Sequence, residues 1–288
     1  MEFDVRSTDP AFLEVVRGYL GEFRVDDAPD IRYRFSADCG EQRTLRGGKG
    51  IRPTLRLYTG TLLTYFGREQ DEMAARLISQ IRDRVYSETN DFVYLRAGGV
   101  VVNGGALVMP SPPEPRLPTL VGMLVRAGSA YLGDEIVRVE PVLRRVHPIA
   151  LPLLLRSDDL VHFPELDGQP TRRSRTPPQL RRTPVRPTSL GGTRAGPADP
   201  RWIVFPVFEP DGPTELRPMS GSEGVFGFAE AVLNLHVWAD RALILAKELL
   251  ANARVWRLQV GSLETAVELL TAELATTDPR QQEGDGDG

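Results

Sequence analysis

The most constraining stretch of this chain covers residues 92–140, FVYLRAGGVVVNGGALVMPSPPEPRLPTLVGMLVRAGSAYLGDEIVRVE. It predicts an apolar strand over 105–109, a turn-rich loop, a short amphipathic helix over 120–128, and a second apolar strand that ends in Asp134-Glu135. That order is the frame of a phosphate-binding loop. In such a frame the first strand delivers a glycine loop to the helix N-terminus, and the second brings an acidic residue to a magnesium ion.

The loop itself lacks the matching chemistry. A working loop reads G-x-x-x-x-G-K-[ST]: its backbone N–H groups converge on phosphate oxygens, its lysine neutralises charge, and its hydroxyl residue holds magnesium. Here Ser111 stands at the first glycine, Arg116 at the second, Leu117 at the lysine and Pro118 at the hydroxyl residue, with Thr119 one position later. The nine residues 110–118 include five prolines. Proline has no N–H to give, and it holds the residue before it extended, which opposes a tight anion nest. Glu114 adds a negative charge, and the chain's only lysines are Lys49 and Lys247. Two readings stay open. One is an ordinary proline-rich connection with Pro118 in the first turn of a helix. The other is a loop that still takes a nucleotide or phosphate through Arg116, Thr119 and the helix N-terminus.

The run resembles the serine kinases that act on HPr, whose core is like that of phosphoenolpyruvate carboxykinase. Leu95-Arg96-Ala97-Gly98-Gly99-Val100 stands where relatives show Leu-His-Ala-x-x-Val, and Gly105 to Pro110 precedes the loop. Tyr131-Leu132-Gly133-Asp134-Glu135 is similar to the family's acidic strand. Arg201 to Pro206 resembles a late strand, Glu230 to Leu235 a helical Glu-Asn-x-x-Asn-Phe-like stretch, and Trp256 to Leu263 the last strand before a closing helix. The resemblance covers residues 75–273. It implies an α/β (α+β) fold with a mixed sheet of HPr kinase type, a smaller N-terminal α/β region over 1–90, a core over 91–275 and C-terminal helices. It also implies Asp134, with Glu135 beside it, as the vestigial catalytic and metal-binding pair. The departures fall at the chemistry: Arg96 replaces the histidine, and the glycine-lysine-serine element is absent. Without that loop the acidic pair could simply cap a strand and face solvent.

Composition bounds the rest. With 41% hydrophobic and 26% charged residues, the 288-residue chain reads as a globular protein with a substantial core. No apolar run is long enough to span a bilayer, and the polar, acidic N-terminus does not read as a secretory signal. The lone Cys39 leaves no partner for an internal disulfide and excludes a zinc cluster, so a cytoplasmic location is expected. A net charge of −4 argues against a general nucleic-acid binder. Asp158, Asp159 and His162 have no diagnostic metal spacing.

Residues 69–88 read as an amphipathic helix, residues 54–58 and 62–66 as a strand pair, and 263–274 as a closing helix. The basic Arg-Gly-Gly-Lys-Gly stretch before Ile51 reads as a hairpin tip. Residues 164–200, rich in proline, glycine and arginine, are expected to form a long mobile loop. Its Arg172, Arg173, Arg175, Arg181 and Arg182 are candidates to grip an acidic partner or a phosphate. Residues 276–288 are expected to be a disordered acidic tail. Three functions follow as expectations: a pseudokinase that binds a peptide or protein partner without a cofactor, an active kinase using MgATP through a rebuilt site, or an anion- or small-molecule-binding regulator. Relatives often assemble, so a homo-oligomer is open too.

Overall fold

The computed structural model describes residues 2–25, 31–42, 52–149, 151–166 and 177–276. The chain opens with strand β1 (Glu2–Ser7) and helix α1 (Pro10–Leu20). The Asp9 carboxylate caps α1 by accepting from the Ala11 amide at 3.0 Å, and Pro10 starts the helix, where no N–H is needed. Strands β2 (Ile31–Gln42), β3 (Arg52–Thr59) and β4 (Leu62–Gly67) precede helix α2 (Gln70–Glu88). Strands β5 (Val93–Val102) and β6 (Gly105–Pro110) form a hairpin whose loop is Asn103-Gly104, at φ 47° and 74°. Two positive φ values in a two-residue loop are what an Asn-Gly pair tolerates. Helix α3 (Leu117–Arg126) stops at Gly128, φ 105°, where the amides of Gly128 and Ser129 bond the carbonyls of Val125 and Leu124.

Short strands follow: β7 (Ala130–Gly133), β8 (Ile136–Val139), β9 (Val146–His147), β10 (Leu153–Arg156) and β11 (Arg182–Val185). Then come β12 (Asp199–Phe208), β13 (Glu215–Pro218), α4 (Gly221–Ala231), α5 (Leu235–Ala251), β14 (Arg254–Val260) and α6 (Leu263–Thr276). The fold is mixed α/β, with mixed sheets and, among the described residues, six α-helices. Among the described residues no helix is long and apolar enough to cross a membrane.

The chain divides into two units, the first made of Met1–Glu88 with Leu151–Arg186, the second of Thr89–Ala150 with Pro187–Gly288. In the first unit the sheet order is β1-β2-β3-β4, and α1 and α2 pack against it over buried Phe12, Phe35, Leu57 and Leu77. Residues 151–186, expected within the core over 91–275, group with this unit. The buried Arg82 of α2 donates to the Pro152 carbonyl at 3.2 Å, and the β10–β11 pair buries Leu153, Leu155 and Val185.

Within the 164–200 stretch expected as a loop, residues 177–200 hold β11, two short 3-10 turns and the start of β12. Val185 in the first unit and Pro187 and Leu190 in the second are buried, so a few apolar residues order a segment whose overall composition is polar. Arg172, Arg173 and Arg175 lie outside the described residues, as do the basic glycine stretch and the acidic tail.

In the second unit the order is β13-β14-β12-β6-β5-β8-β9, with β7 also on β5. Strand β12 is parallel to both β14 and β6, while β5 is antiparallel to β6, β7 and β8. Leu95, Ala97, Ile203 and Phe205 share one core with Phe228 of α4 and Leu245 of α5. Helix α3 covers the opposite face. A Cβ on Gly98 would stand 2.5 Å from Val121 and 3.1 Å from Leu117. Asn234, at the start of α5, accepts from the Tyr94 amide at 3.0 Å and donates to the Phe92 carbonyl at 2.9 Å, and Trp238 Nε1 donates to the same carbonyl at 3.0 Å.

The contact at Gly98 gives a prediction. Gly98→Val is expected to lose about 1–3 kcal/mol through overpacking. Chemical unfolding would show a lower midpoint, partly restored by adding Val121→Ala. An unchanged midpoint would mean that α3 yields freely.

Candidate active site

In open α/β sheets, ligands gather outside the carboxyl ends of the strands. Strand β6 ends at Pro110 and runs into the 111–116 loop; β7, which points the same way, ends at Gly133 and runs into Asp134-Glu135. Strand β5 lies between them. The Arg96 carbonyl accepts from the Ser111 amide at 3.1 Å, and the next residue, Ala97, donates its amide to the Glu135 carbonyl at 3.0 Å. The proline loop and the acidic turn therefore flank one dipeptide of β5, from its two sides. The structure brings together Arg96, the loop and the acidic pair, as the frame requires.

The loop's hydrogen-bonding capacity is then nearly used up. Of the nine residues 110–118, five are prolines, which leaves four amides. Ser111 gives its amide to Arg96. Arg116 gives its amide to the Glu114 carboxylate at 2.9 Å, and Leu117 gives its amide to the Glu114 carbonyl at 3.2 Å. Three of the four are thus bonded inside the protein. The anion at the N-terminus of α3 is the chain's own Glu114, the favoured sign for that end of a helix dipole.

Arg116 is half-buried at the N-cap of α3. Thr119, the other phosphate candidate, is completely buried one turn into the helix, among Leu117, Leu120 and Val121. Asp134 is 1% exposed and accepts from the Tyr131 hydroxyl at 3.0 Å; it does not face solvent. Glu135 is half-buried. Ser111 is 3% exposed, and its Oγ has no hydrogen-bond partner.

Arg181 and Arg182 belong to the first unit, far from a solvated loop tip in character. The Arg181 carbonyl accepts from the Ser157 amide at 3.2 Å, and Arg182 sits opposite Arg156 in the β10–β11 ladder. Beside them Arg156 binds Asp158 through both Nε and an Nη, and it lies 3.9 Å from Asp159. These two aspartates serve an arginine. Hydrogen bonding from Arg156 holds the Asp158 carboxyl below the usual carboxylate range, with a smaller contribution from the charge of Arg182.

The sequence reading missed a second group of residues in the core unit. Arg138 lies with its guanidinium carbon 4.4 Å from the centre of the Phe92 ring, on which His147 stands edge-on at 5.1 Å between centroids. His147 Nε2 is 3.1 Å from the Glu140 carboxylate. Tyr94, Arg138 and His147 face one another across β5, β8 and β9. Alternation along each strand is visible in the sequence, but the register that aligns the three is not.

No protein-family model matches the chain, and no characterised protein matches it. Its chemistry rests on the residues just described.

Two outcomes are expected. Tyr131→Phe should destabilise the fold by about 1–3 kcal/mol, because it removes a donor from a buried carboxylate; equal urea midpoints would show that this bond adds nothing. Asp158→Asn tests the depressed carboxyl. A lowered folded value gives stability that is present above the ordinary carboxylate range and lost as pH falls through the folded value. The variant should therefore melt lower at neutral pH, by less than about 1 kcal/mol for so exposed a pair. The gap to the parent should close below about pH 4.

Proposed function

We propose that this chain is a catalytically degenerate, HPr-kinase-like protein kept as a peptide- or protein-binding accessory subunit. The observation that carries the reading is the internal satisfaction of the loop. Phosphoryl transfer depends on preorganised donors and charge around the phosphates. Here the prolines delete most amides, three of the remaining four are bonded within the chain, and Glu114 holds the place of the anion. A phosphate entering there would have to displace a carboxylate tied to the same short loop. Asp134, bonded to Tyr131 and almost fully buried, fits a residue kept for packing.

The partner-binding half of the reading is supported by exposed apolar side chains on α4 and α5. Phe226 of α4 is 74% exposed, and Leu243 and Ile244 of α5 are 39% and 57% exposed. Large apolar side chains left in solvent on two neighbouring helices suit an interaction face.

Calorimetric titration of MgATP tests the loss of catalysis. No heat at millimolar MgATP is expected. Micromolar binding that disappears in Asp134→Asn would overturn the reading and restore an active kinase with a rebuilt nucleotide site.

A further inference from the structure

We propose that Arg96 and Arg138 form a binding site for a phosphate dianion on the α3 side of the second unit's sheet. Tyr94 lies directly opposite Arg138 in the β5–β8 ladder, so their side chains share a face. Arg96 is two residues on from Tyr94 and therefore on that face too. It is the face against which α3 packs, because Gly98, two residues further, meets Val121 and Leu117. Arg96 and Arg138 are diagonal neighbours on adjacent antiparallel strands, about 7–8 Å apart at the backbone. Two guanidinium groups at that spacing can converge on one tetrahedral anion.

The charge balance asks for such an anion. Both arginines are only partly exposed. Among the described residues no carboxylate pairs with either guanidinium, and the side-chain contact of Arg138 is the face of Phe92. Its Nε is buried and has no hydrogen-bond partner. Stacking on an aromatic ring offsets part of the desolvation of a guanidinium, but it satisfies none of its N–H groups. Glu140, two residues on from Arg138 along the chain, is engaged by His147 at 3.1 Å. The His147 ring packs on Phe92 as well, so the ring on which Arg138 stacks is held in place before a ligand arrives.

A third donor lies at hand. The Ser111 amide bonds the Arg96 carbonyl, and Pro110 sits opposite Ala97, so the pleat directs Ser111 to the Arg96 side. Its hydroxyl is buried and unpartnered. Arginine suits a phosphate by its forked, permanently charged geometry. The anion site of the ancestral frame is thereby displaced, from the amides of the loop to side chains on the strands next to it. The source of the phosphate is either the free ion or a phosphorylated side chain of a partner; the recognising chemistry is the same.

The test uses the full chain and calorimetry in a chloride buffer without magnesium. Inorganic phosphate is titrated into the parent protein, Arg138→Gln, Arg96→Gln and an exposed control, Arg217→Gln. A second series uses a short peptide carrying phosphoserine. Binding to the parent and to the control is expected, weakened about tenfold or more in either Arg96→Gln or Arg138→Gln. Tighter binding of the phosphopeptide than of phosphate would identify a partner's phosphate as the ligand, and equal or weaker binding the free ion. Arg138→Lys covers the case in which the glutamine variant fails to fold: it keeps the charge but loses the planar fork, and it too should bind more weakly. The proposal fails if neither probe binds the parent, or if the arginine variants bind as the parent does. The absence of magnesium separates this outcome from MgATP binding, which would depend on Asp134.

Discussion

Two adjacent residues without side chains, Gly98 and Gly99, set how closely the second unit can close around strand β5. On one face a Cβ at Gly98 would collide with Val121 of α3; on the other, a Cβ at Gly99 would stand 2.8 Å from Val137 and 3.3 Å from Leu132. The helix and the strand edge are thus drawn onto the same short piece of backbone. Everything else at this end of the sheet follows from that approach. Helix α3 can lie low enough for its loop to reach Arg96, and β7 and β8 can share β5 as a partner while turning out Asp134 and Glu135 between them.

This arrangement separates what holds a fold from what performs chemistry. Apolar burial and backbone ladders keep strand, loop, helix and strand in place whether or not the loop can bind anything. A phosphate loop needs converging, unsatisfied amides, and unsatisfied amides are unfavourable in a fold. Once no ligand is there to satisfy them, residues that fill the vacancy stabilise the chain. Proline removes the donors, and Glu114 engages one that is left. Arg96 and Arg138 show the reverse situation. They retain charged groups that the rest of the described structure leaves unanswered, which is the usual mark of a ligand position.

Much of the fold was legible in the residues. The period of apolar side chains gives α2 and α6, the Asn-Gly pair suits the β5–β6 turn, and the strand, loop, helix and strand around the loop appear in the expected order, with α3 over Leu117–Arg126 instead of 120–128. What sequence could not supply was pairing between distant segments. The attachment of 151–186 to the first unit depends on an arginine on α2 meeting a carbonyl at Pro152, a contact with no local signature. The same holds for the candidate site. The loss of amides can be counted from prolines, whereas the pairing of Tyr131 with Asp134 and the stacking of Arg138 on Phe92 require strand register. By composition Arg181 and Arg182 read as loop residues, whereas Arg182 opens the β11 ladder and Arg181 stands directly before it.

The division of the chain also bears on how it is made. A ribosome releases residues in order, yet the first unit is closed only by β10 and β11, which follow β5 to β9 in the chain. Helix α2, against which β11 packs, must therefore wait, incompletely covered, while an entire intervening segment emerges. That segment waits in turn for β12 and the C-terminal helices. Neither unit can be completed from a contiguous stretch, so part of the apolar surface of each stays uncovered until later residues emerge. A chain of this topology leans on whatever shields it at the ribosome more heavily than two consecutive domains of equal size would.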